Sequence, residues 1–360
     1  MGWKIHTRLL IRLCIQAFCF LFLLGCLSQI ELGIDPVQGQ LVVSGQVSTL
    51  SDQNFVELGR TAGTTRLPFP IEGASVWLLD EFGNTYEWSE EPGRPGLFRL
   101  PNVSAIPGQT YYIRVILPEG GTYLSQGEKV PEANASGEVY YAIEENEFID
   151  QEGIVTIQHF VNVYTDAAFP QNGETVYVRW SVQESYVIRP TDFPDPFGHV
   201  PSPCYIVQAA DPQRIVLANN NALSGTSIGT LLLSSRLVDR SFHDRHFFTT
   251  YQSSLTEQAY DYWEKVDIVA NQVGSIFDTP PAAVKGNIFN GDNPDETVLG
   301  YFQAANQSFN RFSLVPADIP FTISFQSCLY SEFRSRDDYA SECLNCLSLR
   351  NSSHTRPPWF

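Results

Sequence analysis

Alternation of apolar and polar positions dominates the chain after residue 40. Leu41-Val-Val-Ser-Gly-Gln-Val-Ser48 reads as a first strand and Ala74-Ser-Val-Trp-Leu-Leu79 as a second. A turn at 80–84 then leads to a strand at Thr85–Trp88. Gly96–Leu100 and Thr110–Leu117 follow. In the latter, Tyr111, Ile113, Val115 and Leu117 share one face at the two-residue period of a half-buried strand. Short strands separated by turn signals predict a sandwich that ends near Ala133. From Gly137 onward, strand patterns recur at Ile154–Val163, Thr175–Val182, Cys204–Gln208, Arg214–Leu217, Thr230–Leu233, Phe247–Tyr251, Thr297–Ala304 and Phe321–Phe325. One stretch has helical spacing instead: Leu255, Ala259, Tyr262, Val266 and Val269 form an apolar stripe. Ser254-Leu-Thr-Glu257 in front of it reads as a capping box with Ser254 as N-cap, and Gly274 reads as the stop. Arg189–Pro203, with five prolines, reads as a loop.

The predicted fold is mainly β. An N-terminal immunoglobulin-like or transthyretin-like β-sandwich covers 41–133. A second β-rich domain with one packed amphipathic helix covers 137–360. Gly96-Leu-Phe and Pro107-Gly108-Gln-Thr-Tyr-Tyr-Ile resemble the repeated Gly/Tyr pattern of carboxypeptidase-regulatory-like and transthyretin-like sandwiches.

The first forty residues have a different grammar. Lys4, Arg8 and Arg12 precede an apolar run, 13–24, broken only by Gln16. The run is short for a membrane span and the right size for a signal-peptide core. It ends in Leu23-Leu24-Gly25-Cys26, which resembles a bacterial lipobox. That resemblance implies a signal peptide over 1–25, a diacylglycerol on Cys26 and a polar tether over 26–40.

Charge narrows the partners. The chain has 22 Lys and Arg against 40 Asp and Glu, a net charge of −18. Such a balance excludes nucleic acid, which is bound mainly through cations on phosphate. Loss of residues 1–25 removes three basic residues and no acidic one, leaving about −21. That surface repels anionic headgroups, so membrane attachment falls to the lipid.

Cys14 and Cys19 leave with the signal. Cys204, Cys328, Cys343 and Cys346 remain, and an even number in an exported chain predicts two disulfides with three possible pairings. Cys343-Leu-Asn-Cys346 is a poor redox motif before Pro357 and Pro358, and a single CxxC is half a zinc knuckle pair. No metal or other cofactor is expected.

Longer blocks carry a family resemblance. Ala259-Tyr-Asp-Tyr-Trp263, Gly274-Ser-Ile-Phe-Asp-Thr-Pro-Pro-Ala282, Val284-Lys-Gly-Asn-Ile288, Asn293-Pro-Asp-Glu296 and Val298-Leu-Gly-Tyr-Phe302 are similar to the Bacteroidota outer-membrane lipoproteins catalogued as domain of unknown function 4249. Leu41-Val-Val-Ser-Gly45, the cysteine tail and the terminal Pro358-Trp359-Phe360 fit as well, although members more often end in Phe-Trp. The resemblance implies a lipid-anchored outer-membrane protein accessory to a TonB-dependent receptor. It supplies no catalytic residues.

Candidate chemistry is thin. Gly225-Thr-Ser227-Ile-Gly229 matches a nucleophile elbow, but a strand-like run follows where a helix is needed. His243-Asp-Arg-His246 lacks the Glu and third ligand of a zinc protease, and on a strand its imidazoles would face opposite ways, at an edge or in solvent. His159, inside a strand pattern, is expected to be packed or at the surface. Asn290-Gly-Asp-Asn-Pro-Asp-Glu296 could ligate calcium, yet its residues are those that tight turns require. Phe193 and Phe197 in the Pro-rich loop, with Tyr186 and Tyr205 beside it, are the candidate partner-binding aromatics. The reading is a non-catalytic binding or accessory component beside a TonB-dependent nutrient transporter. A cell-surface adhesion or envelope-structural lipoprotein is the alternative, and a serine hydrolase using Ser227 a weaker one.

Overall fold

The structure, a computed structural model, describes residues 39–61, 69–149, 153–194, 201–222, 227–271, 284–323 and 328–360. Cys26, Phe197 and the whole Gly274–Ala282 block lie outside these.

The first strands are β1 (Leu41–Ser48), β2 (Phe55–Arg60), β3 (Phe69–Pro70), β4 (Ser75–Asp80), β5 (Thr85–Glu87) and β6 (Ser89–Glu90). They continue with β7 (Leu97–Arg99), β8 (Thr110–Ile116), β9 (Thr122–Ser125) and β10 (Glu128–Lys129). Longer strands follow: β11 (Val139–Ile149), β12 (Val155–Ala168), β13 (Tyr177–Ile188), β14 (Cys204–Ala209), β15 (Val216–Asn219), β16 (Ser227–Leu237) and β17 (His246–Leu255). Helix α1 (Glu257–Asn271) precedes β18 (Ile288–Asn290) and β19 (Phe302–Leu314). The tail holds a single helical turn, α2 (Ser341–Leu344), and β20 (Ser352–Ser353).

One eleven-stranded sheet runs β20-β14-β13-β17-β19-β1-β2-β7-β6, with β15 also on β13 and β3 on β2. The six-stranded sheet β18-β9-β8-β4-β5, with β10 on β8, encloses a first core with the β1–β2 end. The three-stranded sheet β11-β12-β16 encloses a second core with the β13–β17 end. The period-two reading of β8 holds: Tyr111, Ile113, Val115 and Leu117 are all buried in the first core.

The expected division at 133/137 does not contain the first sandwich. β1 pairs in parallel with β19, with Gly45 opposite Phe302, and β18 pairs with β9. Ile288, Val298, Phe302 and Ala304 therefore complete a core begun more than 200 residues earlier. The described part of the block resembling the family's own, residues 284–302, forms this seam. Gly300 has φ +89°, and a Cβ there would lie 2.1 Å from the Val43 carbonyl oxygen, so only glycine fits. Asn287 locks the seam by donating to the Phe302 carbonyl (2.8 Å) and accepting from its N–H (2.9 Å).

β19 serves both cores. Phe302 and Ala304 enter the first, and Phe312 and Leu314, further along at the same parity, enter the second. Ala305, at the other parity, meets α1, where Leu255, Ala259, Tyr262, Trp263 and Tyr301 form a separate cluster. The helix is a buttress on the sheet, but its cap differs from expectation. Ser254 lies in β17 and its hydroxyl donates to Asn134 Oδ1 at 2.8 Å. Thr256 supplies the cap, its Oγ1 accepting from Ala259 N at 3.2 Å. Tyr260 is buried on the helix, whereas Val266 is only half-buried. Phe321–Ile323 is not a strand; Phe321 lies flat on His159, ring centroids 3.6 Å apart. Among the described residues, no helix is long and apolar enough to cross a membrane.

Candidate functional site

Four segments distant in sequence meet at the β13–β14 end. Val187 and Ile188 close β13, and Arg189, Pro190 and Asp192 open the Pro-rich loop. Pro201 and Pro203 bring that loop back to β14. Arg240, His243 and Asp244 come from the turn before β17, and Cys328, Leu329 and Tyr330 from the tail. They surround a cavity of about 520 Å³, within the range of small-molecule sites.

A buried polar network fixes the turn. Glu184 Oε2 accepts from Arg236 Nε (2.6 Å) and from His246 Nε2 (3.0 Å), and Oε1 accepts from Gln208 Nε2 (2.7 Å). Arg236 donates through both Nη atoms to Asp239 Oδ2 at 3.0 Å. Asp239 in turn caps the turn, its Oδ1 accepting from Ser241 N at 2.8 Å. Burial by itself would raise the Glu184 carboxyl, but the His246 hydrogen bond and the Arg236 charge hold it below the ordinary carboxylate range. Asp239 is likewise kept low against its burial, chiefly by Arg236. Burial pushes His246 down despite Glu184, so the imidazole is neutral at neutral pH. It gives its Nε2 proton to Glu184 and accepts from Ser241 Oγ (3.3 Å) at Nδ1.

Ser241, His246 and Glu184 thus contact one another in the order of a hydrolytic triad. The arrangement cannot act as one. All three are buried, and His246 is stacked against Tyr186, Phe242 and Phe248. No substrate reaches Ser241 Oγ there. The network is scaffold, and its product is the exposed face of the turn: Arg240, His243 and Asp244. The expected edge or solvent placement therefore holds for His243, which is exposed, and fails for His246, which is the most enclosed of the described histidines.

The opposite wall is covalently held. Cys204 bonds Cys346 across 142 residues and Cys328 bonds Cys343 across 15, so the CxxC cysteines pair outward and not with each other. Two further ties close the tail on the loop and turn. Thr191 N donates to the Cys343 carbonyl (2.7 Å), and Arg240 pairs with Glu342 (3.0 Å). Arg189 Nε donates to Asp244 Oδ2 at 2.8 Å across the lip. Val187, Ile188, Pro190, Pro201, Leu329 and Tyr330 form the apolar part of the wall, and Asp192 and His243 line it as well. Among the described lining residues there is no serine or threonine hydroxyl, and the one cysteine is bridged. Such a lining can hold a partly apolar group and orient it through paired charges at the rim.

Of the aromatic candidates, Phe197 lies outside the described residues, and Phe193, Tyr186 and Tyr205 are engaged within the chain. Phe193 packs edge-on against Tyr330 (5.9 Å) and Tyr339 (5.1 Å), joining loop to tail as one wall. Tyr205 meets Phe360 at 5.1 Å, and Trp359 donates to Ser185 Oγ at 3.0 Å while lying under Arg311. The terminal Trp-Phe pair therefore seals the sheet next to β14.

The remaining motifs are structural. Ser227 opens β16, a strand and not a helix, so the elbow context is not met. In the 290–296 loop, Asn290 Oδ1 accepts from Asp292 N (2.8 Å) and Asn293 N (3.1 Å), and Glu296 accepts from Tyr123 and Asn290. These oxygens hold a turn. Among the described residues, no group of three or more His, Cys, Asp or Glu is placed to hold a metal. The sequence reading missed Arg240, Asp244, Leu329 and Tyr330. The one local signal was Asp239-Arg-Ser241, an Asp-x-Ser turn opening that precedes a charged run.

A family model described as a domain of unknown function (DUF4249) matches residues 28–311. No curated protein matches the chain.

Proposed function

The chain belongs to the DUF4249 family, and on that footing we propose that it is a non-catalytic binding protein of the outer membrane. Lipid on Cys26 anchors it, and it works beside a TonB-dependent nutrient transporter, the cleft at the β13–β14 end being its recognition site. One observation carries the reading. The cleft is preformed by two disulfides and a buried ion network, yet its described lining offers an apolar pocket with paired charges and, among those residues, no nucleophile–base pair. A rigid, pre-shaped pocket spends little ordering entropy on its ligand, which suits recognition. The Leu-Leu-Gly-Cys sequence at 23–26 supports the anchor.

Immunoprecipitation from outer membranes dissolved in mild detergent tests this. The expected result is one outer-membrane receptor in stoichiometric amount, with a diacylated Cys26 at the mature N-terminus by mass spectrometry. A precipitate without a receptor overturns the accessory role, and an unmodified N-terminus at another residue overturns the anchor.

A further inference from the structure

The three-stranded sheet does not end where its core ends. β12 pairs with β11 along the whole of Val139–Ile149, but with β16 only from Phe160 to Ala168. Val155–His159 and their partners Glu145–Ile149 therefore continue as a two-stranded ribbon, about 16 Å long at 3.3 Å per residue. Its sequence is unusual for a strand pair with water on both sides. Ile149 is 73 % exposed, Val155 56 %, Ile157 58 % and Ile154 54 %, with Phe148 also exposed. Opposed residues of an antiparallel pair share a face, so Ile149 and Val155 lie together with Ile157 next along. That face is continuous with Val161 and Ile143, which belong to the second core. On β12 this row leaves the core through His159 and runs out to Ile157 and Val155, with Glu145 opposite His159 and Glu147 opposite Ile157 on the same face of β11. The base is stiffened where His159 stacks on Phe321 and Tyr141 on Phe312 (5.3 Å).

Folding gives no reason for Ile149, Val155 and Ile157, since among the described residues nothing covers as much as half of any of them. Charge identifies what could. Between Glu138 and Asp166 the sequence has seven acidic residues (Glu138, Glu144, Glu145, Glu147, Asp150, Glu152 and Asp166) and no Lys or Arg. We propose that the ribbon is an insertion element whose apolar tip enters an apolar socket, rimmed by lysines and arginines, on a partner protein. An anionic lipid surface would repel it, and so would the like-charged ribbon of a second copy. Apolar anchors ringed by complementary charge are the usual composition of a specific protein contact. The ribbon is separate from the cleft, so this inference stands or falls independently of the function proposed above.

The test is photocrosslinking in cells of the source organism, with a benzophenone amino acid at Ile149 and, separately, at Ile157. Both positions should capture the same protein, through a peptide where apolar residues adjoin Lys or Arg. Glu145→Lys with Glu147→Lys should reduce that capture at least tenfold while the melting temperature stays within a degree or two, because both side chains are exposed. Capture insensitive to this charge reversal, or through a peptide with no basic residue, overturns the proposal. So does a crosslink to a second copy, flotation of the purified protein with phosphatidylethanolamine–phosphatidylglycerol vesicles, or no capture at either position by folded protein.

Discussion

The cleft and the ribbon both show apolar side chains to water, and they differ in everything that surrounds those side chains. At the cleft, two disulfides, an Arg240–Glu342 pair and the Glu184–Arg236–Asp239 network hold four segments in a concave wall. At the ribbon, Val155–His159 pair only with Glu145–Ile149 among the described strands, and Ile149, Val155 and Ile157 are exposed. Concave apolar surface resists collapse only if its walls are pinned. An apolar ribbon past the end of its sheet needs no pins but remains hydrated until something covers it. The comparison separates exposure that the fold constructs from exposure that the fold merely permits.

The sharpest way to break this contrast is along β12 itself. Val161 and Ile157 lie on one face of one strand, four residues apart, yet Val161 is buried and Ile157 is exposed. Val161→Asp should cost more than about 4 kcal/mol, since it buries a carboxylate without a partner. Ile157→Asp should change stability by less than about 0.5 kcal/mol. Urea unfolding reads both, and similar losses at the two sites would mean that the ribbon is packed. Next in size is the pin. Cys204→Ser with Cys346→Ser opens a 142-residue loop and should cost about 2–5 kcal/mol, while the ribbon's amide exchange stays unchanged.

Acidity sharpens the comparison within the scaffold. His246 is held below its ordinary 6.5, so stability is lost as pH falls below 6.5, where the unfolded chain takes up a proton that the folded one refuses. Glu184 adds a further loss as pH falls from 4.5 through its lowered value. Glu128 has the opposite sign. Burial raises its carboxyl, despite donors at Tyr301, Thr256 and Asn287, so stability declines as pH rises from 4.5 toward its folded value. Melting temperature against pH should therefore lose its fall below 6.5 in His246→Gln, and its decline above 4.5 in Glu128→Gln. The smallest effect is the cap: Thr256→Ala should cost about 1 kcal/mol. An unchanged melting temperature would return the cap to another residue.

These two regions also explain what the sequence could tell. In the first sandwich β1, β4, β5, β7 and β8 were legible, β4 and β8 because every second residue is buried, whereas β2, β9 and β18 were not read. β11 was missed because Glu144–Ile149 has no buried face, and a ribbon wet on both sides leaves no period. β17 was cut short at Tyr251 for the opposite reason. All ten of its residues are buried, and the polar Gln252, Ser253 and Ser254 are accepted there through bonds to Trp180, Gln307 and Asn134. Ser254 looked like a cap only because those partners are distant in sequence. The parallel β1–β19 seam joins residues more than 250 apart, which no local pattern encodes. The cleft shared that obstacle: the cysteine count was legible, but the pairing that brings Leu329 and Tyr330 to Arg240 was not.

Hydrogen exchange on the free protein and on the complex recovered from outer membranes tests the central claim, that the pinned cleft is the recognition site. The account predicts slowed amide exchange in the complex at Ile188, Arg189, Asp192, Leu329 and Tyr330, with the Leu299–Phe302 seam equally protected in both states. Exchange unchanged at those cleft positions, in a complex that nonetheless contains the receptor, would contradict it.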